Sequence, residues 1–444
     1  MTYPLSSEVV AGQATEAAQY NNLRTDALYL GANPASSGTV RDLLYSSFGS
    51  LALSALGSNM IQLTASETSP AAVMISGAVY SVSSTLTLPL SAIDVPDAGR
   101  YTIYAVAGSG GAFSLALTAS GSAREIGTFL WDGFGIIPGT VHNLAEMAVL
   151  RAVCSPASAH GRLTLVAGDP VPDADIDQSA ILYFVPYRGN VIGLYLFGAW
   201  EYFSFSALSI GKNQIAAGVP VDIFLSADSS GLHLSAVAWG SNGARASGTL
   251  QWVDGVRVSG SDASMRYLGT VALNAAGNFE DSRTGRLVWN ENNRLSRPIL
   301  ARLSTAKLQG TNHINSWAPY YDEDAPVVKL LVPGNDCDFV LEGVGLNSPI
   351  SESDRGYVRA AAVGILQDPE WSSPYTDNIN RVPCFTHTCG NTPLCCRIDN
   401  YDAGFQGVHD YVLGFWTNYN FYPIGTSLSV SIGEKPGLCG QIMA

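Results

Sequence analysis

The densest group of chemically reactive side chains lies near the C-terminus and consists of Cys384, His387, Cys389, Cys395 and Cys396. Their spacing, C-x2-H-x-C-x5-C-C, supplies thiolate and imidazole groups, which are the ligands that zinc prefers. Pro and Gly residues in this short segment would let the backbone wrap a tetrahedral ion. The paired C-x2-C knuckles of common zinc sites are absent from the sequence, so zinc is one of three uses that the pattern leaves open.

Disulfide bonds and free thiols are the other two uses. Six of the seven cysteines lie after residue 330, and Cys337 and Cys439 would be distant partners for three bridges in an exposed domain. Cysteine is also among the most buried residue types, and a buried thiol needs no partner. We take free thiols as the simplest interpretation and predict no bound metal and no cofactor.

Two other patterns could do chemistry, and both are weak. Ser209 and Lys212 have the S-x-x-K spacing of some acyl-transfer enzymes, but the partner motifs are missing, and a turn between strands explains them. An acidic loop could hold calcium, yet it lacks the glycine and the glutamate of an EF-hand, so we interpret it as solvated. Its aspartates are Asp169, Asp173, Asp175 and Asp177. No hydrolase, zinc-protease or P-loop motif occurs, so we predict no enzymatic activity.

Aromatic residues in loop-like segments could bind a ligand. Exposed aromatic rings stack on sugar faces, so we take five of them as candidate receptor contacts: Trp317, Tyr320, Tyr321, Trp371 and Tyr375. Burial in a domain core is the alternative, since large aromatic side chains are usually mostly buried. His409 lies beside aromatic residues, and we interpret it as a hydrogen-bonded core residue.

The chain that must position these residues carries few charges. Of its 444 residues, 14% are charged and 47% are apolar, and the net charge is −14. This composition excludes a disordered chain, and the lack of a basic block argues against nucleic-acid binding. We find no apolar run of ~18 residues and no secretory signal, so we expect cytoplasmic synthesis without membrane insertion. Nineteen arginines against four lysines fit long-lived intersubunit surfaces.

One amphipathic helix is predicted near the N-terminus. Thr15 can cap it, and Tyr20, Leu23, Ala27 and Leu30 follow at spacings of three, four and three, which places them on one face. This apolar stripe is narrow and therefore suits self-association or docking better than burial in a broad core. We predict that these four residues make oligomer or docking contacts.

After this helix the hydrophobic period changes to two, which predicts strands around residues 80–90, 101–105 and 113–117, among others. Asp254 and Gly255, between apolar residues, predict a hairpin with a type I′ turn, whereas residues 141–153 fit either a strand or a short helix. Regular strands without intervening helices predict a mainly β fold. We expect serial antiparallel β-sandwich or barrel domains with a short N-terminal helical segment.

Length and turn signals predict four segments. These are a helical attachment segment over residues 1–45, a β-domain over 46–154, a β-sandwich module over 155–295, and a C-terminal β-domain with the cysteine cluster over 296–444. A polar stretch followed by Arg297 and Pro298 predicts a hinge over residues 291–303.

Three parts of the sequence resemble tailed-phage fibre and minor virion structural proteins. The N-terminal match to their attachment helix comprises Gln19, Tyr20, Asn21, Leu23, Arg24, Asp26 and Ala27. The middle match is the most specific and comprises residues 161–165, 182–190, 198–200, 266–270 and 287–290, with Asn293 and Arg294. The C-terminal match comprises residues 407–411, 415–422 and 438–443, although the cysteine cluster departs from these usually cysteine-poor domains.

The resemblance implies a structural virion protein, often a homotrimer, built of β-domains in series. We therefore expect a fibre or adaptor that attaches to the particle through its N-terminus and contacts other virion proteins or a host-surface glycan or protein. A capsid decoration, head fibre or collar protein is one alternative. A fibre with polysaccharide-depolymerase activity is another, and it would need two carboxylates ~5–10 Å apart on a sugar-binding face.

Overall fold

The computed structural model describes residues 51–90, 95, 97–241 and 245–302, together with eight strands nearer the C-terminus. It is mainly β, with 55% of residues in strands and 5% in helices, which confirms the predicted fold class. The sheets are open, and the described strands close no barrel. The predicted N-terminal helix with Tyr20, Leu23, Ala27 and Leu30 lies outside the described residues and stays a prediction.

The chain divides into two units. The first contains residues 1–158, 193–204 and 227–232, and the second contains residues 159–192, 205–226 and 233–444. The division into four segments stays a prediction.

The strands of the first unit form three sheets and most of a two-stranded hairpin. Period-two apolar patterns place them as the sequence predicts around residues 80–90, 101–105 and 113–117. The first sheet contains β1 (Ala52–Ala55), β2 (Met60–Thr64) and β5 (Leu86–Pro89). The second contains β3 (Ala71–Ile75) and β4 (Ala78–Val82). The third contains β6 (Gly99–Ala107), β7 (Phe113–Ala116), β8 (Ala123–Trp131) and β9 (His142–Asn143), in the order β7-β6-β8-β9. The hairpin is β13 (Val191–Leu196) with β14 (Ala199–Ser204).

Apolar residues on alternate strand positions meet in one core of the first unit. Ile61, Ile103 and Phe129 have no exposed surface, and the ring of Tyr101 stacks on that of Phe129 with centroids 5.5 Å apart. Burial of such side chains stabilises the unit by roughly 1.5–3 kcal/mol each.

Residues 141–153, for which the sequence leaves strand and helix open, form both. The short strand β9 leads into α1 (Leu144–Val153). A capping box decides where the helix begins: the Glu146 amide donates to Asn143 Oδ1 (2.9 Å), and the Asn143 amide donates to Glu146 Oε2 (3.1 Å). None of the helices in the described ranges is long and apolar enough to cross a membrane.

The second unit contains most of the remaining strands, which form four sheets. The first is β10 (Gly161–Thr164), β12 (Ile181–Pro186) and β15 (Leu208–Gly211). The second is β17 (Gly231–Ala238), β16 (Val221–Asp228), β20 (Arg266–Val271), β19 (Val256–Ser259) and β18 (Leu250–Val253), with β23 (Val288–Asn290) also on β20.

Of the other two sheets, the first joins strands on both sides of the predicted boundary at residue 295, and the second lies wholly after it. One is β11 (Ile176–Ser179), β21 (Phe279–Asp281), β22 (Gly285–Arg286), β26 (Val327–Val332), β31 (Gly407–Thr417), β28 (Ala361–Gln367) and β29 (Arg381–Thr386), with β25 (Trp317–Pro319) on β31. The other is β24 (Ser296–Arg302), β32 (Gly437–Met443), β27 (Phe339–Asn347) and β30 (Thr392–Asp399). The pairing of β22 with β26 is parallel, and the remaining described registers are antiparallel.

The predicted hinge is a strand over most of its length. Residues 296–302 form β24, which pairs antiparallel with β32 along all seven positions. Pro298 is compatible with this strand because β24 is at the edge of its sheet, where one side needs no ladder hydrogen bonds. The polar stretch that suggested a hinge, residues 290–294, precedes this strand.

The predicted Asp-Gly hairpin is confirmed. Strands β18 and β19 pair with Val253 opposite Val256, and the two turn residues have positive φ angles, 48° at Asp254 and 78° at Gly255, as a type I′ turn requires.

We expect Gly255→Ala to lower the free energy of unfolding by about 1 kcal/mol, because a Cβ is strained at this φ although no neighbour lies within 4 Å. Asp254→Asn is the control, since asparagine is equally suited to this position. Denaturant titration measures both, and equal stability of the alanine variant and the wild type would contradict the turn assignment.

Candidate functional site

The motif residues of the middle segment converge on strand β10. Asn290, which is 2% exposed at the end of β23, accepts a hydrogen bond from the Leu163 amide at 2.7 Å and donates to the Leu163 carbonyl at 3.3 Å. A single buried side chain thereby satisfies both backbone groups of a residue in another strand, as a neighbouring strand would do.

Asn293 makes a second clamp on the same strand. Its amide donates to the carbonyls of Ala159 (2.6 Å) and Gly161 (2.9 Å), and its carbonyl accepts a hydrogen bond from Arg162. Its φ of 57° lies in the left-handed region, which asparagine tolerates better than most residues. The motif positions Asn290 and Asn293 therefore fix the chain that follows β23 against β10.

Two motif glycines allow close approach in this region. A Cβ on Gly161 would overlap the ring of Phe184, and a Cβ on Gly269 would overlap the carbonyl oxygen of Trp289. Both neighbours are buried, at 2% and 1% exposure, so neither has room to move away. Only glycine fits these two positions of the packed module.

Aromatic and arginine side chains stack behind these clamps. Tyr267 and Trp289 are stacked with ring centroids 6.3 Å apart, and the Arg294 guanidinium lies 4.4 Å from the centroid of Trp289. All three belong to the motif that resembles phage fibre proteins, and the contacts add cation–π and stacking energy to their burial.

A buried polar network joins strands β16 and β20 to residue 245. Both Asp222 oxygens accept from Arg245, at 2.8 and 2.9 Å, and Oδ1 also accepts from Thr270 at 2.7 Å. Thr270 and Tyr267 share a hydrogen bond of 2.5 Å. Burial raises the pKa of Tyr267, and the neighbouring Asp222 carboxylate raises it further. Burial by itself would lower the pKa of Arg245, but hydrogen bonds to Asp222 raise it above its ordinary value.

A second cluster places three buried arginines around one carboxylate. Arg286 donates to Asp281 at 2.7 Å and Arg297 donates to it at 3.4 Å, while Arg162 donates to the Pro170 carbonyl at 3.1 Å. Burial, and then the charge of Arg297, lowers the pKa of Arg162 to about 10. Arg286 and Arg297 also donate to the carbonyls of Pro298 and Pro172. Each of these arginines donates to the backbone carbonyl of a proline. Lysine cannot match this use because it lacks a planar fork of donors.

These arrangements bring acids and bases together, but they use them to hold strands. Asp222 and Asp281 accept hydrogen bonds from arginines inside the fold. In both clusters the carboxylates hold strands and backbone segments in place.

The predicted cysteine cluster is only partly described. Cys384 lies in β29 opposite Val363, and Cys395 and Cys396 lie in β30, which belongs to a different sheet. His387, Cys389 and Cys337 lie outside the described residues, and Cys439 lies in β32. Zinc, disulfide and free-thiol uses stay open. Within the described ranges no three His, Cys, Asp or Glu side chains are grouped to hold a metal.

The other sequence candidates are also placed only in part. Trp317 lies in β25 opposite Trp416, and His409 lies in β31 opposite Leu330. Tyr320, Tyr321, Trp371 and Tyr375 lie outside the described residues. The receptor-contact prediction stays open.

The acidic loop and the S-x-x-K match have structural roles. Asp175 pairs with Arg283 at 2.8 Å, and Asp169 accepts from the Val171 amide at 3.0 Å, so these two carboxylates stabilise the loop. Lys212 begins a short 3₁₀ helix (Lys212–Gln214) after β15 and donates to Asn278 at 2.5 Å.

Sequence reasoning missed three exposed apolar features. Phe134 is 89% exposed in a loop that Asp132 fixes by accepting hydrogen bonds from the amides of residues 134 and 135, at 2.8 Å each. Val149 and Val153 on α1 are also exposed, and so is Trp252 in the β18–β19 hairpin. The Asp-Gly-Phe-Gly sequence around Phe134 was a turn signal that could have indicated a displayed side chain.

His142, just before α1, gives the first unit a pH-dependent stability. Burial lowers its pKa below the ordinary value of 6.5, although Glu146 and Glu201 oppose this shift. Stability from the neutral imidazole is complete above the unfolded pKa and is lost as pH falls through the lower folded pKa.

We expect His142→Gln to show a smaller loss of unfolding free energy between pH 7 and pH 5 than the wild type, by denaturant titration. An equal loss in both proteins would contradict this origin.

Comparison with known proteins adds no further assignment. No protein-family model matches the sequence, and no curated protein matches it significantly.

Proposed function

We propose that the chain is a structural protein of a phage virion, a fibre or adaptor that attaches through its N-terminus and projects its β-domains. The proposal begins from the sequence resemblance to tailed-phage fibre proteins, and the mainly β architecture of open sheets is compatible with it. Its biochemical role is mechanical and adhesive rather than catalytic.

One observation carries the proposal: the motif residues of the middle segment are used for architecture. Asn290 and Asn293 clamp β10, Gly269 allows close packing on Trp289, and Tyr267 completes a buried network with Asp222. A module whose most specific residues hold its own strands together is suited to a load-bearing or spacer role. An enzyme would instead direct such residues into a cleft.

The proposal includes a homo-oligomer, with a trimer favoured by the resemblance. Several weak contacts on one symmetric fibre would gain affinity through effective concentration, so each host-surface or virion contact can be weak. Made in the host cytoplasm, the protein would then assemble with other virion proteins into the particle.

Sedimentation of the purified full chain tests the oligomer. We expect a stable species of about three times the chain mass of 46.8 kDa at micromolar concentration. A monodisperse species of 46.8 kDa under the same conditions would contradict the proposal.

A further inference from the structure

The β18–β19 hairpin displays one tryptophan to solvent. Trp252 is 62% exposed, whereas Trp131, Trp239 and Trp289 are 4%, 5% and 1% exposed. Exposing an indole forfeits the stabilisation that its burial would give, so its display is unusual among the tryptophans whose burial the structure describes.

The exposed indole has a charged stacking partner on the neighbouring strand. Trp252 is the cross-strand partner of Arg257, whose guanidinium lies 4.8 Å from the centroid of the indole ring. Arg257 is held in turn by Glu291 at 3.3 Å, and the Glu291 amide donates to the Leu268 carbonyl at 2.9 Å. Because this contact restricts the ring, binding to it would lose less conformational entropy than binding to an indole without a stacking partner.

The surroundings of Trp252 are polar. Gln251 and Asp254 beside it are exposed, Arg257 stacks on the ring, and Glu291 pairs with Arg257. No second large apolar side chain of residues 245–262 is exposed. A protein interface buries clustered apolar residues at its centre, so a lone indole with polar neighbours is a poor match for one.

We propose that Trp252 is a stacking platform for a pyranose ring of a surface glycan. The C–H-bearing face of such a ring is apolar, matches the area of one indole and carries the slight positive charge that a π-face attracts. Its hydroxyl groups need donors and acceptors at the edge, which the neighbouring charged and amide side chains supply. This inference specifies the partner class of the proposed fibre and takes its biological setting from that proposal.

Saturation-transfer NMR on the purified full chain tests the platform. The probes are the methyl glycosides of glucose, galactose, mannose, rhamnose and N-acetylglucosamine. We expect at least one to receive saturation at its ring C–H protons, with a dissociation constant on the order of 1–10 mM. Trp252→Ala should weaken that binding by about tenfold, whereas Trp252→Tyr should retain most of it.

Two further variants separate the platform from general effects. Arg257→Gln removes the cation that stacks on the indole, so it should give a loss between those of the two Trp252 variants. Phe134→Ala removes another exposed aromatic ring and should leave binding unchanged.

Three results would overturn the platform: no saturation of any of the five glycosides, equal binding by Trp252→Ala, or conversion of a native oligomer to monomers by that variant. The last result would assign the hairpin to a subunit contact. Glycoside binding is measured on purified protein, so its absence would not contradict the virion proposal. If the chain were absent from virions, glycoside binding by the purified protein would still be observed.

Discussion

Asp222→Asn is expected to lower the free energy of unfolding by about 3 kcal/mol or more. Asp222 has no exposed surface and accepts two hydrogen bonds from Arg245 and one from Thr270. Neutralising this carboxylate leaves a guanidinium that is only 12% exposed without its counter-charge, and removing one partner of a buried pair typically costs ~3–5 kcal/mol. Denaturant titration of the full chain measures the change.

The matched control is Asp173→Asn, which makes the same chemical change at an exposed position and should alter stability by less than about 0.5 kcal/mol. A double-mutant cycle with Arg245→Met adds a second test. The joint loss should be smaller than the sum of the single losses, because neither buried charge is then left alone. A loss below about 1 kcal/mol for Asp222→Asn would show that the network does not hold β16 and β20 together.

Gly269→Ala is expected to lower the free energy of unfolding by about 3 kcal/mol, because the packed surroundings leave no space for the added methyl group. Its Cβ would overlap the carbonyl oxygen of Trp289 and would lie 2.9 Å from Leu163 Cδ1. The carbonyl cannot retreat easily, since β20 and β23 are paired in register with Gly269 opposite Asn290. The variant should also loosen the clamp of Asn290 on β10.

Gly99→Ala is the control for this substitution. Gly99 also lies in a strand, β6, but a Cβ there would meet no atom within 4 Å, so we expect a change of less than about 0.5 kcal/mol. Thermal or denaturant unfolding of the two variants measures the difference. If both alanines were tolerated equally, the close approach at Gly269 would be refuted.

Local patterns in the sequence were sufficient for much of the fold. The Asp254–Gly255 turn and the alternating runs of β6 and β7 depend on neighbours along the chain, and the structure confirms them. The start of α1 was also encoded locally, because Asn143 and Glu146 have the spacing of a capping box. That signal could have resolved the choice between strand and helix.

Long-range pairing could not be predicted in this way. Alternation does not say which strands become neighbours, so the partnership of Asp222 with Arg245 and the pairing of β24 with β32 had no local signal. The hinge prediction failed over residues 296–302 for the same reason, since Pro298 is read as a breaker unless its strand is known to be an edge.

The excess of arginine over lysine illustrates the same limit. From composition we assigned it to intersubunit surfaces, but Arg162, Arg266, Arg286 and Arg297 are all at most 7% exposed within the chain. Three of them donate to backbone carbonyls of prolines. Composition shows only that arginine is frequent. The fold shows which arginines use their planar set of donors to bind backbone carbonyls. The exposure of Trp252 likewise depends on which face of its hairpin is covered.

Immunogold electron microscopy of purified phage particles, from the cells that produce the chain, tests directly whether the chain is a structural protein of the virion. The antibody should be raised against the purified protein, and the particles should be labelled before and after mild disassembly. If the chain is a virion protein, we expect gold labels at one fixed structure of the particle, in symmetry-related copies. Absence of the chain from particles that are otherwise complete, with the protein present only in the cell lysate, would contradict it.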